Sequence, residues 1–256
     1  MVLDMPATAW PERTALTFRG QERKEFSYGE LQDMANQWAD YLRETGITRV
    51  VAVGENHPGM IALIFGCGLA GADFASLNYR FKAREMEHCI RTIGAEAVFT
   101  WNVRTGAVQQ AVEAIDPSPV VIDVTDRDLP PTERPRVGGA RPSESPNVYI
   151  FTSGTTKLPK AVILGPESLS QYLFGSYEPL SASEDEATVV ASPLYHVAGF
   201  MNTLSAVFMS RRVVLLPTFE PDEWLKVVQE EKVTHAFLVP TMLSRVVSTI
   251  REHPEL

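Results

Sequence analysis

The sequence predicts an α/β protein with layered, mostly parallel sheets and flanking helices. Three observations carry that expectation. Helix-type and strand-type segments alternate along most of the 256 residues, the order that puts crossover helices between parallel strands. Apolar runs such as Val120-Val-Ile122 and Val213-Val-Leu-Leu216 are continuous rather than alternating, as strands covered on both faces require. Capping and breaking residues punctuate the alternation at short intervals.

The elements follow in order. Ser27 and Glu30 form an S-x-x-E capping box, whose hydroxyl and carboxylate satisfy the first orphan N–H groups of a helix. Leu31, Met34, Ala35, Trp38 and Leu42 then recur at helical spacing until Gly46 ends the run. Residues 49–53 read as a buried β-branched strand, 59–69 as a helix and 74–77 as a short extended segment. A helix over 83–93, a strand over 96–101, a helix over 106–115 and a strand over 120–124 complete the first half.

Residues 125–147 break the pattern. They hold Pro130, Pro131, Pro135, Pro142 and Pro146, with Gly138, Gly139 and several charges. The stretch reads as an exposed linker or as one long surface loop. It divides the expected organisation into a first α/β half over 1–124 and a second over 148–256. In the second half, strands are expected over 148–151 and 161–164. Pro166 suits the first position of a helix reaching about residue 177. Further strands are expected over 188–191, 213–216 and 236–239. Pro221 opens a helix with Asp222 and Glu223 in its first turn, where the macrodipole favours anions. A last helix starts near Pro240. No internal repeat is visible.

Composition narrows the function classes. The hydrophobic share is 45% and the charged share 21%, which excludes disorder over most of the length. Lys and Arg number 23 against 32 Asp and Glu, a net charge of −9. With no basic block, nucleic acid and anionic membranes are not expected partners. Cys67 and Cys89 exclude a disulfide scaffold and lack metal-type spacing, and the His residues are scattered. Small apolar thiols in a reduced, cytoplasmic protein are expected. No signal peptide is read in the first residues. The apolar stretch 61–77 is interrupted by Gly66, Gly68, Gly71 and Asp73 and is short for a membrane span, so no transmembrane segment is expected.

The segment that carries chemistry is Thr152-Ser-Gly-Thr-Thr-Lys-Leu-Pro-Lys160. It lies between two strand-type runs and so reads as a strand–loop–strand turn. Hydroxyls at Thr152, Ser153, Thr155 and Thr156 and ammonium groups at Lys157 and Lys160 are the donors and charges a triphosphate requires. Gly154 lets the backbone curl close to an anion. Pro159 stiffens the exit and Lys160 places a point charge. Composition alone leaves a polar surface hairpin as an equal alternative. A Walker A loop is excluded, because Pro159 and Ala161 stand where that pattern needs a glycine and a hydroxyl residue.

The run from Tyr149 to Ala161 resembles the phosphate-binding signature of the adenylate-forming superfamily, which includes acyl-CoA synthetases, aryl-CoA ligases, luciferases and peptide-synthetase adenylation domains. It departs from the usual [YF]-[TS]-S-G-[TS]-T-G-x-P-K-G form at Lys157 and Ala161, where glycine is usual. Flanking segments support the resemblance. Ala9-Trp-Pro-Glu-Arg-Thr-Ala-Leu16 and Phe26-Ser-Tyr-Gly-Glu-Leu31 look like the family's opening, and Asn78-Tyr-Arg80 sits where the family often has such a triplet. Pro193-Leu-Tyr-His-Val-Ala-Gly199 resembles the next core motif, and Val239-Pro-Thr-Met-Leu243 a further landmark. The two latter forms lean toward acyl-CoA ligases over peptide-synthetase domains.

The resemblance implies a partial N-terminal domain of the adenylate-forming fold and a two-step reaction. A carboxylic acid attacks the α-phosphate of ATP in the presence of Mg²⁺, and coenzyme A then displaces AMP. Thr152, Ser153, Gly154, Thr155, Thr156, Lys157 and Lys160 would hold the phosphates, with Thr156 also at the metal. Tyr195, His196 and Gly199 would border the acid, with His196 as the catalytic candidate. Without the resemblance, His196 reads as a satisfied loop histidine. The family's downstream adenine, Mg²⁺ and ribose motifs and its small C-terminal domain are not found before Leu256. The expectation is therefore an incomplete N-terminal part: a truncated ligase or half of a split one, with weak nucleotide binding and no complete turnover alone. Exposed sheet edges would favour self-association or a complementary C-terminal chain.

Two competing readings remain. Gly66-Cys-Gly-Leu-Ala-Gly71 matches G-x-G-x-x-G, with Glu87 near the distance of a ribose-binding acid, which would suggest an NAD-binding Rossmann protein. The residues after it read as turn and strand rather than helix, so close packing of a small-residue helix face fits better. The other reading is a catalytically inactive remnant that binds nucleotide or a partner. Val197, Phe200, Met201 and Leu204 suit a fatty or other hydrophobic acid, and they suit core packing equally well.

Overall fold

The structure, a computed structural model, describes residues 2–103, 105–125, 127–135, 137, 143–152 and 158–253. The chain opens with α1 (Asp4–Ala9) and the hairpin of β1 (Thr14–Arg19) and β2 (Arg23–Ser27). It continues through α2 (Tyr28–Thr45), β3 (Arg49–Gly54), α3 (Pro58–Ala70), β4 (Asp73–Leu77), α4 (Ala83–Ile93), β5 (Ala97–Trp101), α5 (Gly106–Glu113) and β6 (Val120–Asp123). Then follow β7 (Val148–Thr152), β8 (Lys160–Leu164), α6 (Pro166–Ser176), β9 (Ala187–Val190), α7 (Val197–Phe208), β10 (Arg212–Leu215), α8 (Pro221–Glu230), β11 (His235–Ala236) and α9 (Pro240–Glu252). The α/β alternation is as expected. The β1–β2 hairpin, α1 and α7 have no counterpart in the sequence-based reading, and β11 is shorter and earlier than the expected 236–239.

The chain forms two compact units, residues 33–172 and residues 1–32 with 173–256. The unit of residues 33–172 holds a six-stranded sheet of order β6-β5-β3-β4-β7-β8. Its strands pair in parallel except β8, which runs antiparallel to β7. Val51, Val53, Ala75, Leu77 and Val98 from the strands pack with Met86, Cys89, Ile90 and Val108 from α4 and α5 to make the core. Among the aromatic side chains, Trp38 meets Phe99 edge to face at 5.3 Å.

One expectation is corrected within this unit, and one competing reading drops away. The segment 125–147 does not separate two sheets, because β4 before it pairs with β7 after it. Its described residues are bonded to the unit. The indole N–H groups of Trp38 and Trp101 donate to the carbonyls of Asp128 and Arg127 at 3.2 Å each, and the Val137 N–H donates to the Thr45 carbonyl. The G-x-G-x-x-G spacing also fails as a dinucleotide site. Gly66 and Gly68 lie near the end of α3, and Gly71 is its left-handed cap with φ 72°, so the motif closes a helix instead of opening one. A Cβ on Gly66 would lie 2.6 Å from the Trp38 Cβ, which is the close helix packing expected of a small-residue face.

The other unit holds a five-stranded sheet of order β11-β9-β10-β1-β2. β1 pairs in parallel with β10, Leu16 opposite Val213, and antiparallel with β2. The Ser27–Glu30 capping box is present: the Glu30 N–H donates to Ser27 Oγ at 3.1 Å, and the Ser27 N–H to Glu30 Oε2 at 2.7 Å. Val189, Val214 and Leu216 pack with Trp224, Val227, Met242 and Val246 as the second core. At one end of the sheet the buried Glu231 carboxylate accepts from Arg19 at 2.7 Å, Arg23 at 2.8 Å and Arg212 at 2.9 Å.

Candidate functional site

The expected strand–loop–strand turn is present. β7 and β8 form an antiparallel ladder running from Val148 opposite Leu164 to Thr152 opposite Lys160. Both closing residues are exposed, which leaves the Thr152 hydroxyl and the Lys160 ammonium at the mouth of the loop. Pro159, just inside it, is buried. Ser153, Gly154, Thr155, Thr156 and Lys157 lie outside the described residues, so the expected phosphate and metal ligands among them are not placed. β7 runs parallel to β4, and the loop therefore leaves the carboxyl edge of the sheet, where open α/β sheets bind ligands.

The same edge launches the Asn78-Tyr-Arg80 triplet. The Asn78 side chain accepts from the Arg80 N–H at 2.9 Å, and its carbonyl accepts from the Phe81 N–H at 2.9 Å, which turns the chain into α4. The Glu85 carboxylate then accepts from the Lys82 N–H at 2.9 Å, satisfying an orphan donor at the helix start. Met86, Cys89, Ile90 and Ile93 bury one face of α4. His88 on this helix sets its Nε2 3.0 Å from the Pro159 carbonyl oxygen. The sequence holds no local signal for this contact, since 71 positions separate the two residues.

The second group of candidates follows β9 in the other unit. Ser192, Leu194 and Tyr195 are buried and His196 is exposed. The His196 N–H donates to the Pro193 carbonyl at 3.0 Å, and the His196 carbonyl accepts from Phe200 as α7 begins. The Tyr195 and His196 rings lie 4.6 Å apart. Although the residue as a whole is exposed, desolvation of its imidazole lowers the pKa below the ordinary value, which favours the neutral form. Gly199 serves the turn itself. A Cβ there would lie 2.4 Å from the Pro193 carbonyl oxygen, so α7 can start only over a glycine. Of the residues expected to face an acyl chain, Phe200 and Leu204 are buried, Val197 is exposed and Met201 is half-buried.

Within this unit the structure joins two sequence motifs. β9 and β11 are parallel neighbours, so the Pro193–Gly199 motif and the Val239–Leu243 motif leave the same sheet edge. Ser192 Oγ approaches the Met242 sulfur at 3.5 Å. The Thr152–Lys160 loop and the Tyr195–Gly199 turn belong to different units. Among the described residues, no group of three His, Cys, Asp or Glu side chains is arranged to hold a metal, and no helix is long and apolar enough to cross a membrane.

A family model described as "AMP-binding enzyme" matches residues 3–255. The chain is 29% identical over 241 residues to a feruloyl-CoA synthase from Amycolatopsis, covering 92% of this chain and 47% of that protein. It is 27% identical to an indoleacetate–CoA ligase from Aromatoleum aromaticum, covering 97% of this chain and 51% of that protein. It thus spans about half the length of the curated relatives it matches. Among solved structures, the N-terminal domain of FACL13 from Mycobacterium tuberculosis superposes with a TM-score of 0.81 at 23% identity, covering 99% of this chain and 65% of that one. The o-succinylbenzoate CoA synthetase of Bacillus subtilis gives a TM-score of 0.77 at 23% identity, over 96% of this chain and 63% of that one.

Proposed function

The chain belongs to the AMP-binding enzyme family, and on that premise we propose that it carries the ATP- and acid-binding part of an ATP-dependent carboxylate–CoA ligase. The observation that supports this most directly is the loop closed by Thr152 and Lys160 at a carboxyl sheet edge. Its sequence offers hydroxyls, amides and ammonium groups, the donor set that fits phosphate oxygens. Thr152, Ser153, Gly154, Thr155, Thr156, Lys157 and Lys160 are assigned to the phosphates of ATP, and the Thr156 hydroxyl also to Mg²⁺. The ion, when bound, neutralises charge on the phosphate oxygens.

In the first step, a carboxylate oxygen bonds to the α-phosphorus and pyrophosphate leaves. In the second, the coenzyme A thiolate bonds to the acyl carbon and AMP leaves. The protein's part in the first step is positioning and charge stabilisation. Tyr195, His196 and Gly199 are assigned to the acid end. A neutral His196 stands beside the incoming carboxylate as a donor that adds no fixed charge. Because the chain corresponds to about half of each curated relative, binding is proposed for this chain and full turnover for the whole protein. A cytoplasmic setting follows from the metabolites used.

The acid is proposed to be hydrophobic. The relatives' names give feruloyl, indoleacetate, 2-succinylbenzoate and medium- or long-chain fatty acyl groups. The test is ATP binding by calorimetry together with ATP–pyrophosphate exchange, using a panel of aryl and fatty acids. ATP binding with exchange for one acid class supports the ligase reading and names the class. Binding without exchange for any acid supports a nucleotide-binding part that does not adenylate alone. A folded chain that binds neither ATP nor tripolyphosphate overturns the reading.

A further inference from the structure

We propose that His88 is a positioning residue for the phosphate-binding loop, clasping its exit through the Pro159 carbonyl so that Lys160 is held toward the bound anion. The inference rests on the reading of 152–160 as an anion loop. The contact, 3.0 Å from His88 Nε2 to the Pro159 oxygen, reaches the residue directly before Lys160.

The two feet of the loop are fixed by different means. Thr152 and Lys160 are ladder partners, which sets how far apart the feet stand. The ladder ends at Lys160, so Pro159 is the first residue outside it. Proline fixes φ there but has no N–H to bond, so its carbonyl is the remaining handle on the peptide that leads into Lys160. His88 takes that handle from a rigid base. Its helix is seated in the core by Met86, Cys89, Ile90 and Ile93. The chain entering that helix is held by the Asn78 turn and the Glu85 cap.

The chemistry of the pair is one-directional. A carbonyl only accepts, so Nε2 must carry the proton and donate. Beside an anion site, such a donor orients the loop without presenting an acceptor that would repel phosphate.

The test uses the purified chain with His88→Ala and His88→Gln, glutamine keeping an amide donor of similar reach. Hydrogen exchange by mass spectrometry reads the clasp without nucleotide. His88→Ala is expected to speed exchange in peptides covering 158–164 by about fivefold, the loss of one ordinary hydrogen bond, while β3 and β5 stay unchanged. His88→Gln is expected to restore the slower exchange. Calorimetry with ATP and with tripolyphosphate reads the positioning. His88→Ala is expected to weaken both by roughly three- to tenfold, and His88→Gln to recover most of it.

Unchanged exchange in His88→Ala overturns the clasp. Changed exchange with unchanged affinity overturns positioning and leaves a structural contact. A wild-type chain that binds neither ligand overturns the anion reading, and positioning with it, while the exchange arm still reports on the clasp separately.

Discussion

Thr152 and Lys160 are paired residues of one antiparallel ladder, a hydroxyl facing an ammonium-bearing residue across the mouth of the loop they enclose. The pairing fixes the spacing between Thr152 and Lys160 through the sheet. Lys160 is exposed, so its charge is removable with little effect on folding. Lys160→Met is expected to weaken ATP binding by about tenfold to a hundredfold, the range of a lost charge-assisted hydrogen bond. Calorimetry measures this, with circular dichroism as the control for folding. Equal affinity in Lys160→Met and wild type would remove Lys160 from the site.

The glycines separate packing from ligand roles. Gly66→Ala would drive a methyl to 2.6 Å from the Trp38 Cβ and 3.0 Å from the Ala35 carbonyl, whereas a Cβ on Gly68 meets nothing within 4 Å. Gly66→Ala is expected to cost roughly 1–3 kcal/mol from overpacking. Gly68→Ala is expected to stabilise the helix by about 0.5–1 kcal/mol. Urea denaturation of both variants decides the matter.

Gly199→Ala meets backbone rather than side chain, 2.4 Å from the Pro193 carbonyl oxygen and 2.5 Å from that of Ser192. Backbone there must move, so a loss of about 2–4 kcal/mol is expected. Chemical denaturation reads the loss. A variant as stable as wild type would return Gly199 to a purely ligand-facing role.

Acid sensitivity is expected to centre on Glu231. Hydrogen bonds from Arg23, then Arg19 and Arg212, hold its carboxyl at about 2, well below the ordinary carboxylate value. A carboxyl lowered in the folded state stabilises above its unfolded pKa and loses that contribution as pH falls through its folded value. The window is therefore about pH 5 down to about pH 2. The contribution at pH 7 is about 2 kcal/mol once solvent screening at the half-exposed Arg23 is discounted. Glu231→Gln is expected to flatten the pH dependence of stability in that window by about that amount, measured by urea titrations between pH 7 and pH 2.

His196 acts in the same sense at a higher pH. Burial lowers its pKa, so the unfolded chain binds that proton more readily and stability contributed at this position falls as pH drops below about 6.5. An NMR titration of the imidazole is expected to show a midpoint below that value. A midpoint at or above it would show a solvated ring.

The parts of the fold legible in the sequence were those written locally. The capping box at Ser27 and Glu30, the helix-ending Gly46 and the proline at the head of α8 each act within one turn, and each is found where its spacing places it. What escaped was non-local. β1 pairs with β10 from the far end of the chain, and no periodicity within either strand announces the other. The unit boundaries at residues 32 and 172 were missed for that reason, and the Pro/Gly-rich 125–147 drew attention that its contacts do not support. At the candidate site the hairpin was legible because its two strands are adjacent in sequence. His88 was not, because it reaches the loop from a helix whose surface pattern marks only the buried face.

The pairing of Leu16 with Val213 also sets an order of events during synthesis. Residues 33–172 form one uninterrupted stretch that contains all six strands of its own sheet, so that unit is complete before its neighbour. The β1–β2 hairpin, made first, waits for β10 to leave the ribosome. At about 5–20 residues per second the wait is roughly 10–40 seconds. During that interval β1 offers an open edge to any strand nearby.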